Sequence, residues 1–401
     1  VDEAGPRRRH HPDQGAERDP GVARAVGRCD DRARGGARSR RPVRRPRRPH
    51  RGTRPLNPIV AAIAAEPGGA VRFDRFVDLA LYGPDGFYSR DPELGGGLAG
   101  RRGDFITAPE VGPLFGEVVA RFVAAEYDRL GRPDDFEIVE VGAGPGTLAR
   151  SLAPAVATLI GRPVSYSAVE RSLAQRARHP DGVRSLPEVE RRPVTGVVIA
   201  NELLDNLAFR LAVHDGAWRE AWVGADGDRL VEVLRPIDEC PIATVPWLDR
   251  PAPHGTRLPI HDDAARWIAR RREQLVAGSV VCLDYVTPRT ESLIGEPWRS
   301  WLRTYRGHER GSHYLRDPGT QDITVQVCLD QLPEPDQIRS QAQFLQRWGI
   351  EELVAEGRAA WVAAARAPGL DALRMRSRIR EAEAVLDPGG LGGFDVLHWV
   401  R

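Results

Sequence analysis

At 401 residues, 41% of them hydrophobic and 28% charged, the chain is long enough for two or three domains and a substantial core. Its formal net charge of +2 conceals an asymmetry, because residues 1–55 hold 17 arginines against 7 acids and leave the remainder net acidic. An acidic globular part excludes an enzyme that grips nucleic acid with a broad basic face, and no apolar run nears the roughly 18–20 residues needed to span a bilayer.

Residues 1–55 read as a disordered, Arg-rich extension with too few large apolar side chains to offset the entropy of ordering. A transit peptide is serine-rich and poor in acids, whereas this stretch has one serine, Ser39. A nucleic-acid arm held through RPVRRPRRP, Arg41 to Pro49, is the competing reading. The whole chain lacks lysine, so its arginines reflect a general compositional bias. Cys29, Cys240, Cys282 and Cys328 form no CxxC pair, and the last two lie in apolar, strand-like runs as small core residues. The histidines show no metal-ligand spacing. These features predict a soluble, cytoplasmic protein.

Residues 56–133 read as an N-terminal helical and lid region. NPIVAAIAA from Asn57 and RFDRFVDLALY from Arg72 carry apolar residues at helical spacing. A Gly-rich stretch, LGGGLAGRRGDFITAPE, leads into PLFGEVVARFVAAEYDRL (Pro113 to Leu130), a long helix stopped by Gly131 and Pro133. From residue 134 to 401 the pattern becomes that of a sheet with helices on its faces. FEIVEVG, SYSAVE, GVVIANE and SVVCLDYV are four apolar runs, and helical stretches separate the first two. A β-meander at about 207–236, with Asp-Gly turns at Asp215–Gly216 and Asp226–Gly227, interrupts the rhythm. RWIARRREQLVAG returns the chain to the sheet, and DITVQVCLDQL and FDVLHWV are expected as its last two strands.

The loop VGAGPG spaces Gly142, Gly144 and Gly146 as GxGxG, one residue shorter than the dinucleotide GxGxxG. Such a strand-to-helix turn offers backbone N–H groups with no side chains in the way. Glu140, two residues ahead, would repel a pyrophosphate but suits a cationic amino group. This favours S-adenosylmethionine, which carries an ammonium and a sulfonium and no phosphate. Glu170, ending the second run, is placed to accept hydrogen bonds from both ribose hydroxyls.

Ligands of open α/β sheets sit beyond the carboxyl ends of the strands, which brings Asn201, Glu202 and Asp205 of ANELLDN near the transferring group. If the acceptor is an arginine, full deprotonation at pH 7 would cost upwards of ~7 kcal/mol. Orienting the guanidinium with carboxylates and taking its proton as the methyl arrives is cheaper, a role open to Glu202 and Asp205. The bland alternative is that Asp205 caps a helix and Glu202 lines its first turn. Asp104, Thr107 and Glu110 of RRGDFITAPE could fold over the cofactor, and Arg306 and His308 of TYRGHERG could line a substrate path; as plain loops, each is also explained.

Together, DLALYGPDGFYS, RRGDFITAPEVGPLFGE, VEVGAGPGTLA, IANELLDNLAFR, LRTYRGHERGSHYLRDPGTQDIT, SQAQFLQRWGI and LDPGGLGGFDVLHW resemble the MidA family of class I S-adenosylmethionine-dependent methyltransferases. That family is related to a mitochondrial complex I assembly factor that methylates an arginine. The resemblance spreads from Asn57 to Arg401, and GDF-x-TAPE, NE-xx-D and PGG-x-GGF are its specific parts. It implies a Rossmann-like, seven-stranded class I methyltransferase core with an N-terminal helical region and inserted elements over the site. Gly142, Gly144 and Gly146 would line the cofactor, Glu170 would meet its ribose, and Gly103, Asp104 and Thr107 would approach from the lid. Two departures fall near the acceptor: Asn206, Leu207 and Ala208 stand where the family has Ala-Leu-Pro, and Val286 where it often has glycine. The function implied is methylation of an arginine on a partner protein, such as a respiratory complex I subunit. An assembly chaperone that keeps the fold without turnover, or a small-molecule methyltransferase, are the alternatives.

Overall fold

A computed structural model of the chain describes residues 56–90, 107–237, 250–307, 309–367 and 369–401. The Arg-rich extension, Gly103, Asp104, His308, Cys29 and Cys240 therefore lie outside the described residues. Residues Pro55–Arg401 form one compact unit.

The apolar runs do become strands of a single seven-stranded sheet: β1 Phe136–Val141, β2 Ser165–Val169, β3 Arg184–Leu186, β4 Val194–Asn201, β5 Leu275–Asp284, β6 Gln337–Ser340 and β7 Asp395–Val400. Their spatial order is β6-β7-β5-β4-β1-β2-β3. The pairs β1–β2, β1–β4, β2–β3 and β4–β5 are parallel, while β7 runs antiparallel to both β5 and β6. All six residues of β1 are buried, as expected for a central strand covered on both faces. The chain leaves β1 toward β2 and β3 on one side, then returns to lay β4 on the other. The carboxyl end of β1 is thus the topological switch point, where such sheets bind ligands.

The strand expected in DITVQVCLDQL does not belong to this sheet. Asp322–Val325 pairs instead with Leu302–Arg306 in a three-stranded accessory sheet, and Val327–Cys328 pairs with Val286–Thr287. All four residues of Asp322–Val325 are buried, so apolar character alone could not tell it from a core strand. The true neighbour of the last strand is Gln337–Ser340, an edge strand whose first two residues are exposed.

The expected meander is present, with Gly216 and Gly227 at positive φ in its two turns (75° and 61°). It grows into a five-stranded antiparallel sheet by recruiting Ala70–Arg72 and Arg257–Ile260. The N-terminal region is consequently not purely helical, and its two parts pack in different places. Helices Pro58–Ala64 and Phe73–Tyr82 pack on the inserted sheet and accessory strands through Ile63, Phe73, Phe76, Phe209 and Trp301. Helix Pro113–Arg129 packs instead against the main sheet and helix Thr147–Ile160, through Leu114, Phe115, Val118 and Phe122. A third cluster around Val139, Val198, Ile268 and Trp399 fills the opposite face of the main sheet. Cys282 and Cys328 are buried free thiols, and burial pushes that of Cys328 up to about 12.

Candidate active site

Beyond β1 the chain turns through Gly142, Gly144 and Gly146, all left-handed at φ 75°, 52° and 77°. A Cβ on Gly142 would stand 3.1 Å from the Leu203 side chain, and one on Gly146 only 2.8 Å from Pro180. Backbone freedom and clearance therefore both call for glycine here. The turn is tied to its neighbour strand, since the N–H groups of Gly142 and Ala143 both donate to the Val169 carbonyl at 3.0 Å. Helix Thr147–Ile160 starts at once, with Gly146 as its N-cap.

Glu170 follows β2 and is 9% exposed. Its two carboxylate oxygens accept from the N–H groups of Gly144 (3.0 Å) and Ser172 (2.7 Å). Burial raises its pKa, opposed by those same hydrogen bonds. Glu140, in β1, is 4% exposed and accepts from the Tyr166 hydroxyl at 2.7 Å. Burial pushes it up to about 8.

Together with Gly142 and Gly144, these two acids line a cleft with Thr107, Glu110, Asn201 and Glu202. Thr107 precedes the short helix Ala108–Val111, and Glu110 in that helix accepts from the Thr147 hydroxyl at 2.6 Å. That contact joins helix Ala108–Val111 to the helix after the glycine turn.

Glu202 sits one residue past β4 at φ 50°. A non-glycine residue at positive φ is strained by about 1–2 kcal/mol, and the surroundings hold it there. Its N–H donates to the Leu283 carbonyl (2.8 Å), and the Asn201 amide donates to its carboxylate (3.2 Å). Burial, then the nearby Asp205, pushes its carboxyl up to about 8, while the Ala108 N–H opposes that rise.

Asp205 occupies the short turn Leu204–Asn206, 4% exposed, and does not line the cleft. One of its oxygens accepts from the hydroxyls of Tyr285 and Thr324, and the other is buried with no partner. Asp284, at the end of β5, accepts from the N–H groups of Leu204 (2.8 Å) and Asp205 (3.3 Å) and so fixes the turn. Burial and the neighbouring Asp205 and Glu202 hold Asp284 far above the usual carboxylate range. Of the two expected proton acceptors, Glu202 faces the cleft and Asp205 stands behind its wall.

Gly146 shapes the turn rather than lining the cleft, and Arg306 is exposed on an accessory strand. Several lining residues were not singled out from sequence: Tyr82, Tyr88, Gln175 and Leu203; Asn206, noted there only as a departure, lines the cleft too. The two tyrosines stack at 5.6 Å between ring centroids. Tyr82 donates to the Asn206 carbonyl and Tyr88 to the Asn206 side chain, both at 3.2 Å. The Asn206 amide donates in turn to Asp322 and the Ile323 carbonyl. The aromatic pair bracketing the turn in LYGPDGFY was the available signal. Asn206, one of the departures noted in the sequence, is the hub that ties the N-terminal helix to the accessory sheet.

Residues 118–346, more than half of the chain, match the family described as putative S-adenosyl-L-methionine-dependent methyltransferases. The chain belongs to that family. Its fold is similar to that of a Burkholderia thailandensis protein solved bound to S-adenosyl-homocysteine, which is 28% identical with a TM-score of 0.72, over 86% of this chain and 91% of that one. Among curated relatives, the mitochondrial protein arginine methyltransferase NDUFAF7 homolog of Drosophila melanogaster is 28% identical over 57% of this chain and 59% of its own length. The mitochondrial protein arginine methyltransferase NDUFAF7 of Mus musculus is 23% identical over 63% and 66%. The chain thus spans less than two thirds of these curated family relatives. Their names place them in mitochondria, so the expected cytoplasmic location gains no support from them. Among the described residues, no helix is long and apolar enough to cross a membrane.

Proposed function

We propose that this chain transfers a methyl group from S-adenosylmethionine to an arginine side chain of a partner protein, a respiratory complex I subunit being the partner class its relatives' kinship suggests. The observation that carries the reading is Glu202, held in left-handed backbone within the same cleft as the glycine turn and Glu170.

The residues present fit the cofactor. The turn at Gly142 and Gly144 leaves space that a Cβ would fill, Glu170 has both oxygens aligned by backbone N–H groups, and Glu140 is a buried acid facing the cleft. Glu170 would hold the ribose hydroxyls and Glu140 the cationic amino end, with Thr107 and Asn201 closing the cleft beside them. Gly103 and Asp104 precede Thr107 and would cover the same ligand. When bound, S-adenosylmethionine supplies an electrophilic methyl on a sulfonium.

The chain's own part is to align the acceptor and take its proton. Alignment of this kind supplies roughly 7–11 kcal/mol where near-attack geometry is held. A neutral Glu202 becomes ionised when a guanidinium arrives, because an opposite charge nearby favours the charged form. The guanidinium nitrogen that gains the methyl must lose one proton, and the Glu202 carboxylate is the group positioned to receive it. Asp205 acts through the turn that carries Glu202, with Tyr285 and Thr324 fixing its orientation.

The test is calorimetric titration of the intact chain with S-adenosylmethionine, then incubation with cell extract and methyl-labelled cofactor. Binding is expected, with label on an arginine of one protein. A well-folded chain that binds no S-adenosylmethionine overturns the reading, and label confined to small molecules overturns the protein acceptor.

A further inference from the structure

Doubly wound sheets ordinarily cover both faces with crossover helices. Here the connection from β3 to β4, residues 187–193, contains no helix. This connection and helix Asp262–Gln274 flank an open groove at the edge of the cluster that covers this face of the sheet. At one end the groove shares Tyr82, Gly142, Glu170 and Leu203 with the cleft; at the other it reaches Leu275, Val276 and Arg401, where β5 begins. Its floor is apolar, with Val169, Leu207 and Trp267.

Arg271, on helix Asp262–Gln274, lines this groove and is only 9% exposed. Its Nε and Nη1 are buried without any hydrogen-bond partner. Burial, and then the adjacent Arg270, lower its pKa to about 10, which still leaves it charged at neutral pH. Arg191 and Arg270 line the same groove, and among the described residues no carboxylate pairs with either of them or with Arg271. Glu188 and Glu273 also line it, yet neither lies within salt-bridge distance of Arg271. A buried guanidinium with no counter-charge is strongly unfavourable, and its planar fork matches a carboxylate.

We propose that the groove seats an acidic, partly apolar segment of the protein substrate, one of whose carboxylates pairs with Arg271 while the acceptor side chain enters the adjoining cleft. This rests on the protein-methylation reading above. The apolar floor and the acids Glu170, Glu188 and Glu273 interspersed among the lining arginines favour a peptide over a phosphate polymer, which needs a continuous basic track.

The experiment measures fluorescence anisotropy of a fluorescein-labelled peptide alternating glutamate and leucine around one arginine, with its glutamine counterpart and an oligouridylate as competitors. Calorimetric titration with S-adenosylmethionine runs in parallel on the same full chain. The glutamate peptide should bind at least tenfold more tightly than the glutamine one. Arg271→Met should remove that preference, leave cofactor affinity within twofold, and raise Tm because a buried unpaired charge is gone. Arg271→Gln, which keeps a polar group, should also lose at least fivefold and guards against a packing artefact. Unchanged peptide binding by both variants overturns the proposal, as does oligouridylate binding that is tighter and equally sensitive to Arg271. Loss of cofactor binding with peptide binding intact overturns the methyl-transfer reading and leaves the groove assignment standing.

Discussion

The two halves of the cleft handle their acids in opposite ways. Beside the glycine turn, Glu170 has both oxygens occupied by backbone N–H groups and Glu140 is paired with Tyr166. Around Glu202, by contrast, Asp205 and Asp284 stand behind the cleft wall, all three are raised by burial, and one Asp205 oxygen has no partner. Burial favours the neutral form in both groups, so what separates them is pairing: Glu170 and Glu140 are held by N–H and hydroxyl donors, while Asp205 keeps one oxygen unpartnered near Glu202 and Asp284.

The sharpest way to break this comparison is Glu202→Gln. General-base roles contribute typically 10²–10⁴-fold, so labelled-methyl transfer should fall at least a hundredfold while S-adenosylmethionine affinity, read by calorimetry, stays within about threefold. Equal losses in both would erase the distinction between the halves. The reciprocal change, Glu170→Ala, leaves the Gly144 and Ser172 N–H groups unpaired. Hydrogen bonds to charged groups are worth about 1.5–3 kcal/mol each, so cofactor affinity should weaken some 10- to 100-fold.

The smallest effect is on stability against pH. Glu202 has a folded pKa of about 8 against an ordinary 4.5, so between those values the folded state binds more protons than the unfolded one. By linkage, stability then falls as pH rises from about 4.5 and levels off above about 8. The drop in Tm between pH 5 and pH 9, followed by calorimetry, should be smaller in Glu202→Gln than in the unaltered chain. A parallel decline in both would sink the idea that Glu202 is held neutral by its surroundings.

Legibility in the sequence followed range of interaction. The placement of the glycine turn and Glu140 could be read because strand, turn and helix are contiguous, and that of Glu170 because it ends the next apolar run. Gln337–Ser340 could not, since four half-exposed residues with no apolar alternation carry no signal until β7 lies beside them. Asp322–Val325 misled for the opposite reason, being wholly buried but in another sheet. Ala70–Arg72 is a strand only because Trp222, Val223 and Gly224 pair with it across the fold. The contrast between Glu202 and Asp205 was equally hidden: both are acids in one short stretch, and the left-handed turn at Glu202 decides which one sees the cleft. Tyr82, Tyr88 and Asn206 meet across more than a hundred residues of chain, beyond the reach of any spacing rule.

That left-handed turn also makes position 202 a recorder of selection. Glycine and asparagine are the residues that tolerate such backbone. A population of variants kept only for folding will therefore drift toward them at 202. One kept for turnover will hold glutamate against that pull. Sequencing the two pools would weigh chemistry against conformation at a single codon, with no substrate yet in hand.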